Sequence, residues 1–101
     1  MKCGILALAG ACLSVAATAV FAATFKAEIE GSKVVVYSTS TKDTACYSMV
    51  TFSYKTDEGR ETRRFVCNTF ARAEKDFRFC ERGDEKFVDL KIEGSVTANC
   101  D

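Results

Sequence analysis

The run Cys46-Tyr47-Ser48-Met49-Val50-Thr51-Phe52-Ser53-Tyr54 decides the fold. Every second residue from Cys46 through Ser48, Val50 and Phe52 to Tyr54 falls on one face of an extended chain, and β-branched and aromatic types dominate the run. A helix would scatter these five residues around its axis, whereas a strand gathers them on one side. The turn Asp57-Glu58-Gly59-Arg60 then returns the chain through residues 62–67 as the second arm of a hairpin. Tyr47 and Met49 share the opposite face with Thr51 and Ser53, so apolar groups stand where solvent is expected.

The same period of two extends in both directions. Upstream, Phe25, Ala27 and Ile29 alternate with Lys26, Glu28 and Glu30, and Gly31-Ser32 is a two-residue turn into residues 33–38. Residues 38–44, STSTKDT, contain no apolar side chain and read as a mobile surface loop. Downstream, residues 68–75 hold good helix formers behind an Asn or Thr cap and read as a single helical turn. Alternation resumes with Phe77 and Phe79 against Arg78 and Cys80, and a turn follows over residues 81–85. In the last strand Val88, Leu90 and Ile92 share a face that Val96, Ala98 and Cys100 continue, with Gly94 marking a bulge or bend. Six to seven short strands with frequent turns predict an all-β, antiparallel sandwich.

Residues 1–22 stand apart from this pattern. Lys2, an Ala-rich apolar stretch and the ending Val20-Phe21-Ala22 read as a secretory signal peptide, which leaves residues 23–101 as one β-sandwich domain. The apolar class then makes up 31 of 79 residues, and 13 Lys and Arg face 14 Asp and Glu. A net charge of −1 lacks the basic footprint of a nucleic-acid binder, and once the signal is removed no membrane association is expected. The expected location is the periplasm or the extracellular space, and the expected state is monomeric or weakly oligomeric.

Four cysteines remain after Cys3 and Cys12 depart with the signal. In a short exported chain they read as two disulfides, because a core of this size needs covalent help. Their spacings leave 20, 12 and 19 intervening residues, unlike the short clips of zinc sites, and no His is present to substitute. Three connectivities are possible. Cys46 with Cys67 and Cys80 with Cys100 ranks first, since each bridge closes a similar loop over consecutive elements; Cys46 with Cys100 and Cys67 with Cys80 ranks second. The absence of His removes the Ser/His/Asp and Cys/His catalytic arrangements, and the carboxylate pairs Asp57-Glu58 and Asp84-Glu85 lie in turns. No catalytic residues, metal or cofactor are expected, and the chain does not read as an enzyme.

At residues 34–41 (VVVYSTST), 46–54 (CYSMVTFSY) and 72–80 (RAEKDFRFC), the chain resembles small immunoglobulin-like or fibronectin-type-III-like domains of bacterial exported proteins. The resemblance implies an immunoglobulin-like arrangement of the sandwich and carries no functional residue with it; the chain has no Trp, so the antibody type is not implied. Candidate binding residues come from the pattern alone. Arg60, Arg63 and Arg64 lead a positive stretch suited to an acidic partner, although interleaved Glu58 and Glu61 also fit cross-strand pairing on a solvated face. Tyr47 and Met49, with Phe70, suit a protein interface, while Tyr37 and Tyr54 read as core. The expected function is non-catalytic binding or structure with a protein partner. The alternatives are an inhibitor of a secreted hydrolase, acting through a loop at residues 38–44 or 57–60, and a secreted effector.

Overall fold

A computed structural model describes residues 23–101; the signal peptide read over residues 1–22 lies outside the described residues. Six strands follow in order: β1 (Ala23–Glu30), β2 (Lys33–Ser40), β3 (Thr44–Thr56), β4 (Gly59–Ala71), β5 (Phe77–Gly83) and β6 (Val88–Cys100). They form two antiparallel three-stranded sheets, β1-β2-β5 and β4-β3-β6, with β1 beside β6 and β5 beside β4 across the sandwich.

The first hairpin turns at Gly31-Ser32, with Glu30 opposite Lys33 and Gly31 at φ +64°, a conformation glycine takes without a Cβ penalty. The second turns at Asp57-Glu58, where Thr56 pairs with Gly59. The Thr56 hydroxyl accepts the Glu58 N–H at 3.2 Å and donates to the Gly59 carbonyl at 3.1 Å. From there β3 and β4 pair without interruption over 13 residues each.

The alternation of β3 is realised: Cys46, Ser48, Val50, Phe52 and Tyr54 are all buried. They meet Val34 and Val36 of β2, Phe65 of β4, Phe79 of β5 and Phe87 just before β6. Phe52 and Tyr54 pack against Phe87 with ring centroids 5.2 and 4.7 Å apart, and Phe25 meets Phe79 edge-on at 5.2 Å. Burying each such ring contributes roughly 1.5–3 kcal/mol, so this aromatic end is the apolar centre of the domain.

Two local readings are corrected. Residues 38–44 are not a loop: β2 runs to Ser40, β3 starts at Thr44, and Ser38, Ser40 and Thr44 are buried, which leaves only residues 41–43 as the connection. Small hydroxyl side chains fit the narrow interior there, and the backbone continues the pairing that β1 imposes as far as Ala23 opposite Ser40. Nor do residues 68–75 contain a helical turn. β4 extends through Ala71, because β3 offers a paired partner at every position down to Thr44, and a paired strand outweighs a weak local helix preference.

The disulfides are also corrected. The favoured pairing, Cys46 with Cys67 and Cys80 with Cys100, is replaced by Cys46–Cys100 and Cys67–Cys80. The hairpin register places Cys67 opposite Ser48 and Cys46 opposite Thr69, so the first expected pair is never in line. Instead Cys46 stands directly across from Cys100 of β6. Cys80 reaches β4 because of a bulge in β5: Val36 pairs with Cys80 and Tyr37 with Arg78, leaving Phe79 without a partner. Phe79 is buried in the core, while its neighbour Cys80, expected on the opposite face, packs at the core margin and bridges the two sheets. In β6 the face read from the sequence holds at Leu90, Ile92, Val96 and Cys100, which all pack against the core, and the expected irregularity falls at Gly94 (φ +80°) with a second near Asp89 (φ +55°); Val88 and Ala98 of that face are exposed.

Candidate functional site

The two outer faces of the sandwich differ in how their charges are satisfied. On the outer face of β1-β2-β5, Arg78 donates to Glu30 at 3.0 Å and Glu81 at 2.8 Å, Lys33 reaches Glu81 at 3.3 Å, and Lys26 reaches Glu28 and Asp76. Tyr37 stands half-buried among them rather than in the core, its hydroxyl donating to Glu30 and its ring beneath Lys26 and Arg78. The Tyr37 hydroxyl and then Arg78 hold the Glu30 carboxyl below its ordinary range, and Glu30 raises the Tyr37 phenol. Arg78 and Lys33 likewise lower Glu81. Val35, at the centre of this face, is completely buried between strands that carry Glu28 and Glu81 opposite it. This face is a self-neutralised lattice.

The outer face of β4-β3-β6 is built differently, and the β3–β4 register arranges it in rows. Lys55 lies beside Arg60, Ser53 beside Thr62, Thr51 beside Arg64, Met49 beside Val66, Tyr47 beside Asn68 and Ala45 beside Phe70. On the other flank Tyr47 meets Asn99, Met49 meets Thr97, Thr51 meets Glu93 and Ser53 meets Lys91. The face therefore grades from cationic near the Asp57-Glu58 turn to apolar at the far end. Phe70 is 65% exposed, Val66 51% and Tyr47 39%, with Met49 half-buried between them.

The sequence candidates separate on this frame. Tyr47, Met49, Arg60 and Arg64 share the face, and Phe70 joins them. Arg60 is occupied: it donates to the Asp89 carboxylate at 2.8 Å and to the Asp89 carbonyl, and its Nε donates to the Ser53 hydroxyl, which in turn donates to Glu93 at 2.6 Å. This tie holds the β6 bulge against β4. Arg63 has the opposite parity, across from Phe52, and pairs with Glu61 at 2.6 Å; that contact lowers the Glu61 carboxyl and raises the Arg63 guanidinium. Arg63 therefore does not belong with the other candidates. Arg64, Lys55 and Lys91 form no ion pair among the described residues.

Val66 is the member that sequence reasoning missed. Its parity with Arg64 and Asn68, against the buried Phe65 and Cys67, was the available signal. Among the described residues the surface has no pocket, so a ligand would meet this region as a nearly flat sheet. Comparison with family models, curated proteins and solved structures finds no match to the chain.

Proposed function

We propose that the chain is an exported, non-catalytic protein-binding domain that engages its partner through the outer face of β4-β3-β6. The carrying observation is the exposed cluster of Tyr47, Val66 and Phe70 on a face where Arg64, Lys55 and Lys91 form no ion pair among the described residues, beside a second face whose carboxylates are each matched by a cation. Clustered exposed apolar groups with a polar rim are typical of interaction surfaces. Export rests on the reading of residues 1–22 as a signal peptide, and the two disulfides fit an oxidising compartment such as the periplasm or the extracellular space.

The finer fold reading is an immunoglobulin-like sandwich. It is supported by the strand order: β1-β2-β5 follows the A-B-E order and β4-β3-β6 the C′-C-F order of that architecture, with no counterparts of D and G among the described residues. The hydrolase-inhibitor alternative relied on a loop at residues 38–44 or 57–60. Both connections are tight here, so the sheet face carries the proposal.

The test is a cross-linking pull-down from the native envelope fraction, comparing the oxidised protein with a Val66→Asp, Phe70→Ser double variant. Both side chains are exposed, so the fold should tolerate the changes. The expected result is a protein captured by the parent and reduced at least tenfold by the variant. Equal capture by both would remove this face as the binding surface.

A further inference from the structure

We propose that β4 accepts an additional strand from the partner: an extended, acidic segment that hydrogen-bonds along the free edge of β4, sets a carboxylate beside Arg64 and sets apolar side chains beside Val66 and Phe70. This rests on the protein-binding reading above and specifies its chemistry.

Four strands lie at sheet edges, and they are not equivalent. β6 is interrupted by two register shifts and β5 by a bulge, features that discourage a further strand from pairing. β1 spans eight residues, and its outward side chains Lys26, Glu28 and Glu30 are already in ion pairs. β4 runs for 13 residues in unbroken register with β3, and none of its residues pairs with a strand on the other side. It is the longest regular edge among the described residues.

The disulfide fixes which backbone groups that edge presents. Cys46 and Cys100 stand directly opposite with Cα atoms 4.0 Å apart, the close spacing of a non-hydrogen-bonded antiparallel pair. The N–H and C=O of Cys46 therefore point away from β6 and toward Thr69 of β4. Alternation along β4 then directs the backbone groups of Cys67, Phe65, Arg63 and Glu61 inward to β3, and those of Thr62, Arg64, Val66, Asn68 and Phe70 to the open edge. These are the same residues whose side chains line the outer face. An added strand would thus be held by main-chain hydrogen bonds and read by side chains at a period of two.

Charge decides the occupant. β4 carries Arg60, Arg63 and Arg64 against Glu61 alone, and Arg64 has no counter-ion among the described residues. A second copy of β4 laid antiparallel in full overlap would set Arg64 opposite Val66 and offer it no carboxylate, because the one acid of the strand, Glu61, would fall opposite Thr69. An acidic strand is complementary. Since Val66 and Phe70 follow Arg64 at positions +2 and +6, the matching segment carries an acid, then apolar residues two and six positions away on the same face.

The probe is a set of immobilised dodecapeptides with Glu at one position and Val and Phe two and six positions from it, in both chain directions, the other positions being Ser or Thr. Companion sets replace Glu by Lys or shift one apolar residue by a single position. The oxidised protein should be retained at least tenfold better on the Glu set than on either companion. Thr62→Pro removes one donor from the open edge and no bond to β3, and it should lower retention at least tenfold, as should Asn68→Pro; intact disulfides and an unchanged far-UV spectrum verify each fold. Arg64→Glu should reverse the preference from Glu to Lys peptides. Equal retention on all sets, or proline variants that fold and bind like the parent, would overturn strand addition. If the proline variants bind normally while Val66→Asp, Phe70→Ser loses the captured partner, strand addition fails and the face reading stands; if that double variant also captures normally, both fail. A concentration-dependent dimer abolished by Thr62→Pro, or retention on phosphatidylglycerol vesicles that exceeds retention on the peptides, would assign the edge to another occupant and also overturn the proposal.

Discussion

The two disulfides should differ in their contribution to stability, and the structure orders them. Cys46–Cys100 closes a sequence separation of 54 residues, whereas Cys67–Cys80 closes 13 and lies nested within the first. In the chain-entropy description the longer loop contributes about 4 kcal/mol at 25 °C and the shorter about 3 kcal/mol, and the nesting lowers the first figure by only a few tenths. The perturbation is replacement of each pair by alanines, Cys46→Ala with Cys100→Ala or Cys67→Ala with Cys80→Ala. Each pair joins one buried cysteine to one half-buried partner, so the truncation itself costs a similar amount in both variants. Urea unfolding followed by far-UV circular dichroism should show the Cys46/Cys100 variant less stable than the other by about 1 kcal/mol, with a steeper denaturant dependence in both as the unfolded chain expands. A domain of this length has a total stability of roughly 4–12 kcal/mol, so the loss in the Cys46/Cys100 variant amounts to about a third or more of the total. The ordering could be reversed by geometry, because Cys67–Cys80 is the covalent tie between the two sheets while Cys46–Cys100 lies within one. A Cys67/Cys80 variant less stable than the other by 1 kcal/mol or more would refute the loop-entropy argument and place the dominant effect in the folded sandwich.

Two further outcomes are expected. Arg78→Leu removes the cation shared by Glu30 and Glu81, whose carboxyls it helps hold below their ordinary range. A carboxyl with a depressed folded pKa stabilises above its unfolded value of about 4.3 and ceases to do so as pH falls through the folded value; the Tm gap between parent and variant should therefore be widest near neutrality and close below about pH 4, and a gap independent of pH between 7 and 2.5 would contradict the ion-pair account. Gly94→Ala should lower stability by about 1–2 kcal/mol in urea unfolding, since a Cβ meets no atom within 4 Å and the only penalty is that of φ +80°. A neutral result would mean that the β6 bulge relaxes to a conformation open to any residue.

Strand identity was legible wherever one face is buried and the other wet. Residues 46–54 state their pairing face outright, because five alternate positions enter the same core. Polar composition does not report exposure in residues 38–44, because Ser38, Ser40 and Thr44 are small enough to lie in the interior with their backbones paired in strands. The disulfide pairing was hidden by a single bulge. With regular alternation Phe79 and Cys80 point to opposite faces, and only the skipped partner between Val36 and Tyr37 brings Cys80 to β4. Bulges are set by local backbone geometry, which a period of two does not encode.

The proposed binding face was half legible for a related reason. Tyr47 and Met49 announced themselves as apolar residues at the wrong parity of a strand whose other face was certain. The arginines could not be sorted in the same way, because residue type says nothing about which charges are already matched. Arg60 is consumed by Asp89, a residue 29 positions away that reaches it through a bulge; Arg63 turns to Glu61 two positions back; and Arg64 has no counter-ion among the described residues. What distinguishes the two outer faces is therefore the completeness of their pairing and not their charge content. On β1-β2-β5 each carboxylate of the lattice has found a cation, and introducing a partner there would mean breaking contacts that already exist. On β4-β3-β6 a partner's carboxylate would gain a contact at Arg64 without displacing one, and its apolar residues would remove Val66 and Phe70 from water, at roughly 25 cal/mol per Å² of apolar surface covered. That asymmetry is the physical ground for proposing that a partner would dock on β4-β3-β6 and not on the paired lattice of β1-β2-β5.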